Sequence, residues 1–123
     1  MNFKKILVVD DEADLVKTIR FSLETKGYTV LVSYNGEDAL NQARKEHPDL
    51  VLLDIMLPKL DGYKVCRLLK FDERYKHIPI MMLTAKTQEK DKILAMETGA
   101  DEYITKPFDM DELIEKIKAY LNK

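Results

Sequence analysis

The chain has 123 residues, of which 46% are hydrophobic and 34% are charged, and its formal net charge is -2. This length suits one domain with one core, and so small a net charge argues against direct binding of nucleic acid. No apolar run approaches the roughly 20 residues of a membrane span, and no secretory leader is recognisable, so we expect a cytoplasmic domain over 1–123. The single cysteine, Cys66, excludes an internal disulfide, and we expect it in the core rather than as a reactive thiol.

Short apolar runs alternate with helix-spaced apolar stripes along the whole chain. The runs predict strands over 5–9, 28–32, 50–54, 78–83 and 102–105. The stripes predict helices over 14–26, 37–45, 62–71, 88–98 and 110–121. Five strands that alternate with five helices indicate a parallel sheet with helices on both faces. For five strands the common doubly wound, flavodoxin-like order is 2-1-3-4-5.

Individual residues predict how these elements end. Asp14 is expected to cap the first helix, and Gly27 to end it in a left-handed conformation. Asp109 is expected to cap the last helix, with Glu112 completing a capping box.

Composition predicts which parts of two elements are buried. The strand over 28–32 mixes Tyr, Thr and Val, which suits an edge of the sheet better than its centre. In the helix over 62–71, the spacing of Val65, Leu68 and Leu69 predicts that they face the core.

Three acids follow the two strands that this order makes neighbours. Asp10 and Asp11 come directly after the first strand, and Asp54 ends the third. Ligands of open α/β sheets bind in the crevice between such strand ends. Three carboxylates in one crevice repel one another unless a cation lies between them, and hard oxygen ligands with water suit Mg²⁺. A simpler interpretation is that Asp54 only caps the next helix, but the second acidic strand end argues against it.

Two further polar residues end neighbouring strands. Thr84 follows the fourth apolar run and Lys106 the fifth. Each alone is more often a locally bonded or solvated residue, but their placement at consecutive strand ends favours a shared site. A carboxylate surrounded by a cation site, a lysine and a hydroxyl can receive a phosphoryl group, with Asp54 as the nucleophile.

At these residues the chain resembles the receiver domains of two-component response regulators. The segments that carry the resemblance cover essentially the whole chain, and they are Val8-Val9-Asp10-Asp11-Glu12, Leu53-Asp54-Ile55-Met56-Leu57-Pro58 with Asp61-Gly62, Leu83-Thr84-Ala85, and 99–108. The resemblance implies a phosphoacceptor protein, not a conventional enzyme, that assists its own phosphorylation and slow dephosphorylation. The donor it implies is a histidine kinase or a phosphotransfer protein.

The resemblance also implies a role for each site residue. Asp54 would accept the phosphoryl group, and Mg²⁺ or Mn²⁺ would be bound directly by Asp11, Asp54 and the carbonyl of Met56, with Asp10 acting through water. Lys106 would pair with the phosphoryl group and Thr84 would donate a hydrogen bond to it. Tyr103 would be the aromatic switch residue, and the Lys106–Pro107 peptide bond would be cis.

The segment 92–118 resembles the receivers of winged-helix transcription regulators, which form dimers through the fourth helix, fifth strand and fifth helix. Charges that could pair across a two-fold axis are Lys92 with Glu112, Glu97 with Lys118, and Asp101 or Glu102 with Lys116. Exposed pairs of this kind contribute only about 0–1 kcal/mol each, so an apolar centre including residues such as Ile93, Leu94 and Met96 is needed as well. Solvated helix charges are an equally good interpretation.

Two other functions use related features. A phosphatase of the haloacid dehalogenase type also has a strand-end aspartate, but it needs a second aspartate two residues later, where this chain has Met56. A flavodoxin-like electron carrier would need a phosphate-binding loop after the first strand, where Asp10, Asp11 and Glu12 repel phosphate. The sequence leaves open the kinase, the pathway, the phosphoryl lifetime, the oligomeric state, and whether the receiver is free-standing or part of a longer regulator.

Overall fold

The structure is a computed structural model that describes residues 3–85, 93–94 and 96–122. Its strands are β1 (Lys5–Val9), β2 (Thr29–Ser33), β3 (Leu50–Asp54), β4 (Ile80–Thr84) and β5 (Glu102–Thr105). Its fully described helices are α1 (Ala13–Thr25), α2 (Gly36–Glu46), α3 (Gly62–Lys70) and α4 (Met110–Leu121). The label α4 thus refers to the helix that the sequence predicts as the fifth. The helix predicted over 88–98 lies mostly outside the described residues, although residues 93, 94, 96 and 97 are helical.

All strand pairs are parallel, and the sheet order is β2-β1-β3-β4-β5, which confirms the predicted doubly wound topology. The order reverses between β1 and β3, where Val9 pairs in register with Leu53. β2 lies at an edge, as its composition predicted. The carboxyl ends of β1 and β3 therefore meet at the topological switch point.

The three central strands are buried on both faces because their residues alternate between two cores. The core beneath α2 and α3 contains Leu7, Val9, Val51, Leu53, Ile80 and Met82. The core beneath α1 and α4 contains Ile6, Val8, Leu50, Leu52, Met81 and Leu83. All twelve of these side chains are 0% exposed, which explains why the strands are continuous apolar runs in the sequence.

The helix ends predicted at Asp109 and Gly27 are confirmed. Asp109 caps α4, and its side chain accepts hydrogen bonds from backbone N–H groups of the first turn. Asn35 and Asp61, which were not predicted as caps, do the same for α2 and α3. Gly27 follows α1 with φ +94, the left-handed conformation expected of it. These caps satisfy backbone donors that a helix leaves unpaired at its start.

The prediction for Asp14 is wrong. The N-cap of α1 is Glu12, whose own N–H donates to the Asp10 carboxylate at 3.0 Å and whose carbonyl accepts from Val16 N–H at 3.0 Å. Because these two hydrogen bonds fix the loop at Glu12, the helix begins at Ala13 and Asp14 lies inside its first turn. There its negative charge still interacts favourably with the helix dipole.

The helix α3 corrects a second prediction. Val65 and Leu69 are buried as expected, but Leu68 is 45% exposed, and Cys66 takes the core position instead. The face of α3 that packs on the sheet includes Gly62 and Cys66, and Leu68 lies beside this face rather than on it. The Cys66 thiol is 0% exposed, and burial raises its pKa, as expected for an unreactive core cysteine.

Among the described residues, no helix combines the length and apolar character that crossing a bilayer demands.

Gly62 allows α3 to start against the end of β3. A Cβ atom at this position would lie 2.2 Å from the carbonyl oxygen of Asp54 and 2.8 Å from the Cα of Ile55. The Gly62 N–H donates to the carbonyl of Ile55 at 2.9 Å, so the contact is with backbone that cannot easily move. The packing of α3 on the segment that carries Asp54 therefore requires glycine.

We expect Gly62→Ala to lower the free energy of unfolding by about 3 kcal/mol or more, because backbone atoms must shift to admit the methyl group. Gly27→Ala is the matched control, since its Cβ would meet nothing within 4 Å and only the left-handed φ is strained. That strain costs about 1–2 kcal/mol. Urea unfolding of both variants measures the difference, and a Gly62→Ala variant no less stable than Gly27→Ala would contradict the steric explanation.

Candidate functional site

The switch point brings together the three acids that the sequence singled out. Asp10 directly follows β1 and is 0% exposed, while Asp54 ends β3 and is 5% exposed. Asp11 lies on the surface beside them. One carboxylate oxygen from each residue lies within 4.8 Å of the others. The predicted meeting of the carboxylates is therefore a feature of the fold.

Lys106 reaches this acidic group from the end of β5. Its Nζ lies 2.7 Å from Oδ2 of Asp10 and 3.7 Å from Oδ2 of Asp54. It also lies 3.3 Å from Oε1 of Glu12. Only 14% of the lysine side chain is exposed, so these attractions act in a partly desolvated setting where they are stronger than on the surface.

Sequence reasoning did not include Glu12 among the site residues. Its carboxylate is 63% exposed but still contacts Lys106, because Glu12 follows Asp10 and Asp11 in the same short loop. The run of three consecutive acids, Asp10, Asp11 and Glu12, was the feature of the sequence that could have indicated a role for Glu12 in the site.

Backbone groups hold the two buried carboxylates in place. The N–H of Glu12 donates to Oδ1 of Asp10 at 3.0 Å, and the N–H of Met56 donates to Oδ1 of Asp54 at 3.3 Å. The side chain of Met56 is 65% exposed, so it is the backbone of this residue that borders the site. The loop after β3 thus fixes the orientation of Asp54 from one side.

Thr84 ends the neighbouring strand and is 1% exposed. Asp54 pairs in register with Leu83, so Thr84 is the next residue along β4 at the same edge. Its carbonyl accepts the N–H of Lys106 at 2.6 Å, which links the ends of β4 and β5. The Lys106–Pro107 bond is cis, as the resemblance implied.

Tyr103 lies on β5, where it pairs in register with Met82. It is half-buried and packs against the core beneath α2 and α3. Tyr103 therefore lies on the edge strand of the sheet, and β4 separates it from the strand that carries Asp54.

Burial and neighbouring charges shift the pKa of two site residues. Burial, together with repulsion by Asp10, raises the pKa of Asp54 from its ordinary 3.8 to about 6. Partial burial alone lowers the pKa of Lys106, but the hydrogen bond with Asp10 and the attraction of Asp54 outweigh it, so the pKa is raised overall. Lys106 is therefore charged at neutral pH, and Asp54 is ionised at a cost in folding free energy.

The three carboxylates suit a divalent metal ion of the hard class. Mg²⁺ takes a few carboxylate oxygens together with several waters. The three carboxylates each have an oxygen within 4.8 Å of the others, so they could hold such an ion directly or through water. Lys106 supplies one positive charge to this acidic group, and a second cation would offset more of the repulsion.

The fold and site define a doubly wound α/β domain with an acidic, lysine-bearing crevice at its switch point. A family model described as the response regulator receiver domain matches residues 6–118. The chain belongs to this family. It is a receiver domain of the two-component type, and phosphorylation is the general switch of such domains.

A curated relative and three solved structures agree with this assignment. The chain is 50% identical over 120 residues to the alkaline phosphatase synthesis transcriptional regulatory protein PhoP of Bacillus subtilis (strain 168), a match that covers 98% of this chain and 49% of that protein. The chain thus spans about half the length of that relative.

Among solved structures, a protein described as a response regulator from Chloroflexus aurantiacus J-10-fl has a TM-score of 0.93 at 35% identity, covering 99% of this chain and 100% of the other. The chemotaxis response regulator CheY4 of Vibrio cholerae has a TM-score of 0.91 at 28% identity, covering 98% and 100%. The BeF3-activated receiver domain of DrrB has a TM-score of 0.90 at 34% identity, covering 99% and 100%.

The raised pKa of Asp54 predicts a pH-dependent effect of its removal. The folded pKa of about 6 exceeds the ordinary 3.8, so the folded state binds the proton more tightly and loses stability as the pH rises between these values. In chelator at pH 7.5 we expect Asp54→Asn to raise the free energy of unfolding by on the order of 1–2 kcal/mol, with allowance for solvent screening. The gain should shrink below pH 6 and vanish near pH 4.

Urea unfolding at several pH values measures this effect, with Glu115→Gln as the control because that carboxylate is 75% exposed on α4. An Asp54→Asn gain that is unchanged between pH 7.5 and pH 4 would mean that ionisation of Asp54 in its buried setting is not its cause.

Proposed function

We propose that this chain is a phosphorylation-activated signalling switch in which Asp54 accepts a phosphoryl group from a histidine kinase or a phosphotransfer protein. The observation that carries the proposal is the contact of Lys106 with both Asp10 and Asp54 at the switch point of a receiver-family fold. We propose that the receiver domain comprises residues 1–123. The matched relative is named a transcriptional regulatory protein, and the match covers 49% of it. This supports the proposal that the receiver is part of a longer regulator with a separate output domain.

The chemistry at Asp54 is nucleophilic. A carboxylate oxygen of Asp54 forms a bond to phosphorus while the bond from phosphorus to the donor imidazole nitrogen breaks. The imidazole leaves with the electron pair and takes up a proton. With a pKa of about 6, Asp54 is mostly ionised at neutral pH and is available as the nucleophile.

Two residues of this chain are suited to stabilise the transferred group. The Lys106 ammonium can turn from Asp10 towards a phosphoryl oxygen on Asp54, since only 3.7 Å separates it from Oδ2 of that residue. Thr84 ends the adjacent strand with a hydroxyl that can donate to another phosphoryl oxygen. Both interactions grow as negative charge accumulates on Asp54, so they favour the phosphorylated state.

A divalent cation completes this proposed site. Asp11, Asp54 and the carbonyl of Met56 would bind Mg²⁺ or Mn²⁺ directly, with Asp10 acting through water. When bound, the ion would offset the charge of the carboxylates and of the incoming phosphoryl oxygens. The carboxylates of Asp10, Asp11 and Asp54 support this assignment by their mutual distances.

The proposed switch runs from Thr84 to Tyr103. A hydrogen bond from Thr84 to the phosphoryl group would draw the end of β4 towards Asp54. Tyr103 packs at the margin of the same core, so it can turn inward when Thr84 moves. The surface that includes β5 and α4 would then change shape and control a partner or the output half.

We expect acetyl phosphate with Mg²⁺ to add one phosphoryl group to the wild-type chain, detected by intact-mass measurement. Asp54→Asn should remain unlabelled because it lacks the nucleophilic carboxylate. Glu115→Gln, a carboxylate variant remote from the site, should label like the wild type. Equal labelling of wild type and Asp54→Asn would contradict the assignment of the phosphoacceptor.

The same measurement tests the cation. Asp11→Ala removes a proposed direct ligand, so labelling should need a higher Mg²⁺ concentration than in the wild type, and it should fail in chelator for both. In chelator the variant should also unfold at a higher temperature, because one of the repelling carboxylates is gone. A variant that labels at wild-type Mg²⁺ concentrations would remove Asp11 from the metal site.

We further propose an isologous homodimer through the helical segment that includes residues 93, 94, 96 and 97, together with β5 and α4. Ile93, Leu94 and Met96 are 52%, 41% and 49% exposed, which provides the apolar surface that such a contact requires. Within one chain Asp101 lies 2.7 Å from Lys70 and Lys116 lies 3.8 Å from Glu102, so a contact of Lys116 across the dimer would replace its pairing with Glu102 in the same chain. Lys92, the proposed partner of Glu112, lies outside the described residues.

We expect the protein to self-associate weakly and to dimerise more tightly with beryllofluoride, measured by sedimentation at micromolar concentration. Lys118→Glu should weaken the dimer, because it would place two acids opposite each other at the proposed Glu97 contact. Lys17→Glu on α1 is the matched charge reversal away from this surface. A monomer with and without beryllofluoride would favour a free-standing relay receiver.

A further inference from the structure

An open groove of about 710 Å³ lies between the C-terminal ends of α2 and α3. These helices run back from the carboxyl edge of the sheet, so the groove lies at the opposite edge from Asp54. Its apolar floor includes Leu68 and Phe71, which are 45% and 71% exposed. Large exposed apolar side chains next to one another are uncommon on a monomer surface and often mark a binding site.

Three arginines surround these apolar side chains, and they differ in how they are paired. Arg74 is held by Asp72, with its Nε and one terminal nitrogen at 3.1 and 2.8 Å from the two carboxylate oxygens. Its guanidinium also lies 5.1 Å from the ring centre of Tyr75. Arg74 is thus neutralised and fixed within the chain itself.

Arg44 and Arg67 remain exposed in the groove. Within the described part of the chain neither forms an ion pair, and Arg44 attracts Asp72 only at longer range. The other acid of the groove, Glu73, is paired with Lys76 at 2.8 Å. The groove therefore presents, beside an apolar floor, two guanidinium groups that have no ion-pair partner among the described residues.

We propose that this groove binds an acidic segment of a partner protein, one that inserts a large apolar side chain between two carboxylates. The carboxylates would pair with Arg44 and Arg67, whose planar guanidinium groups suit bidentate contacts. The apolar side chain would cover Leu68 and Phe71, in line with the combination of aromatic residues and arginine that is common at interface centres.

Charge and shape favour this occupant over nucleic acid. A polyanion needs an extended basic surface, whereas this chain has a formal net charge of -2 and its groove also contains Asp72 and Glu73. A phosphate backbone also offers no apolar group for Leu68 and Phe71. A peptide supplies both the spaced carboxylates and the apolar side chain.

The test uses the peptide acetyl-Asp-Glu-Leu-Phe-Glu-Glu-amide, titrated into the ¹⁵N-labelled chain and followed by NMR. Binding should shift the amide signals of residues 44 and 67–74 and leave those around Asp54 unchanged. The double variant Arg44→Glu/Arg67→Glu should bind at least about tenfold more weakly, a loss of about 1.4 kcal/mol. Arg20→Glu, at an exposed arginine on α1, should bind like the wild type.

Two control peptides separate the parts of the proposal. Replacing the acids by Gln should abolish the shifts, and replacing Leu and Phe by Ser should weaken them strongly. Shifts that persist in the double variant, or that the Ser peptide reproduces, would overturn the proposal. So would concentration-dependent self-association that the double variant removes, because the groove would then bind a second copy of the chain.

Phosphorylation by acetyl phosphate is the independent readout, since neither arginine lies near Asp54. The double variant should label at the wild-type rate whether or not the peptide binds. A chain that binds the peptide but is not labelled would contradict the proposed function and leave this inference intact. A chain that is labelled but does not bind the peptide would contradict this inference and leave the proposed function intact.

Discussion

The contact of Lys106 with the buried carboxylates of Asp10 and Asp54 is the interaction on which the site depends. Asp10 is 0% exposed, and an ionised carboxylate removed from water destabilises the fold strongly unless a cation compensates it. Lys106 supplies that cation from 96 residues away in the chain. The end of β5 must therefore lie close enough for the Lys106 side chain to reach the ends of β1 and β3 across β4, and the hydrogen bond from Lys106 N–H to the carbonyl of Thr84 links β5 to β4 at this edge.

This polar edge can exist because the sheet behind it is apolar and closed on both faces. Every residue of β3 is buried, so the energy that holds Asp54 in place comes from two cores rather than from the site. Burial of Asp54, together with the repulsion that remains between it and Asp10, appears as the raised pKa of Asp54. A cation bound among these carboxylates would offset part of that repulsion.

The two ends of the sheet have opposite character although the net charge of the chain is small. The carboxyl edge carries the acids around Lys106, and the amino edge carries the groove with Arg44 and Arg67. Partners that recognise one edge need not compete with partners at the other. The helices that connect the edges, α2 and α3, pack on the same core as Tyr103.

The sequence by itself determined the alternation of elements, the parallel sheet and the identity of the five polar strand-end residues, because periodicity and strand order are local and topological properties. It also determined the cap at Asp109, which acts within one helical turn. The cap at Glu12, the exposure of Leu68 and the contact of Glu12 with Lys106 were decided only by the tertiary structure. Each depends on how an element is rotated or held by distant residues, and sequence spacing carries no information about that.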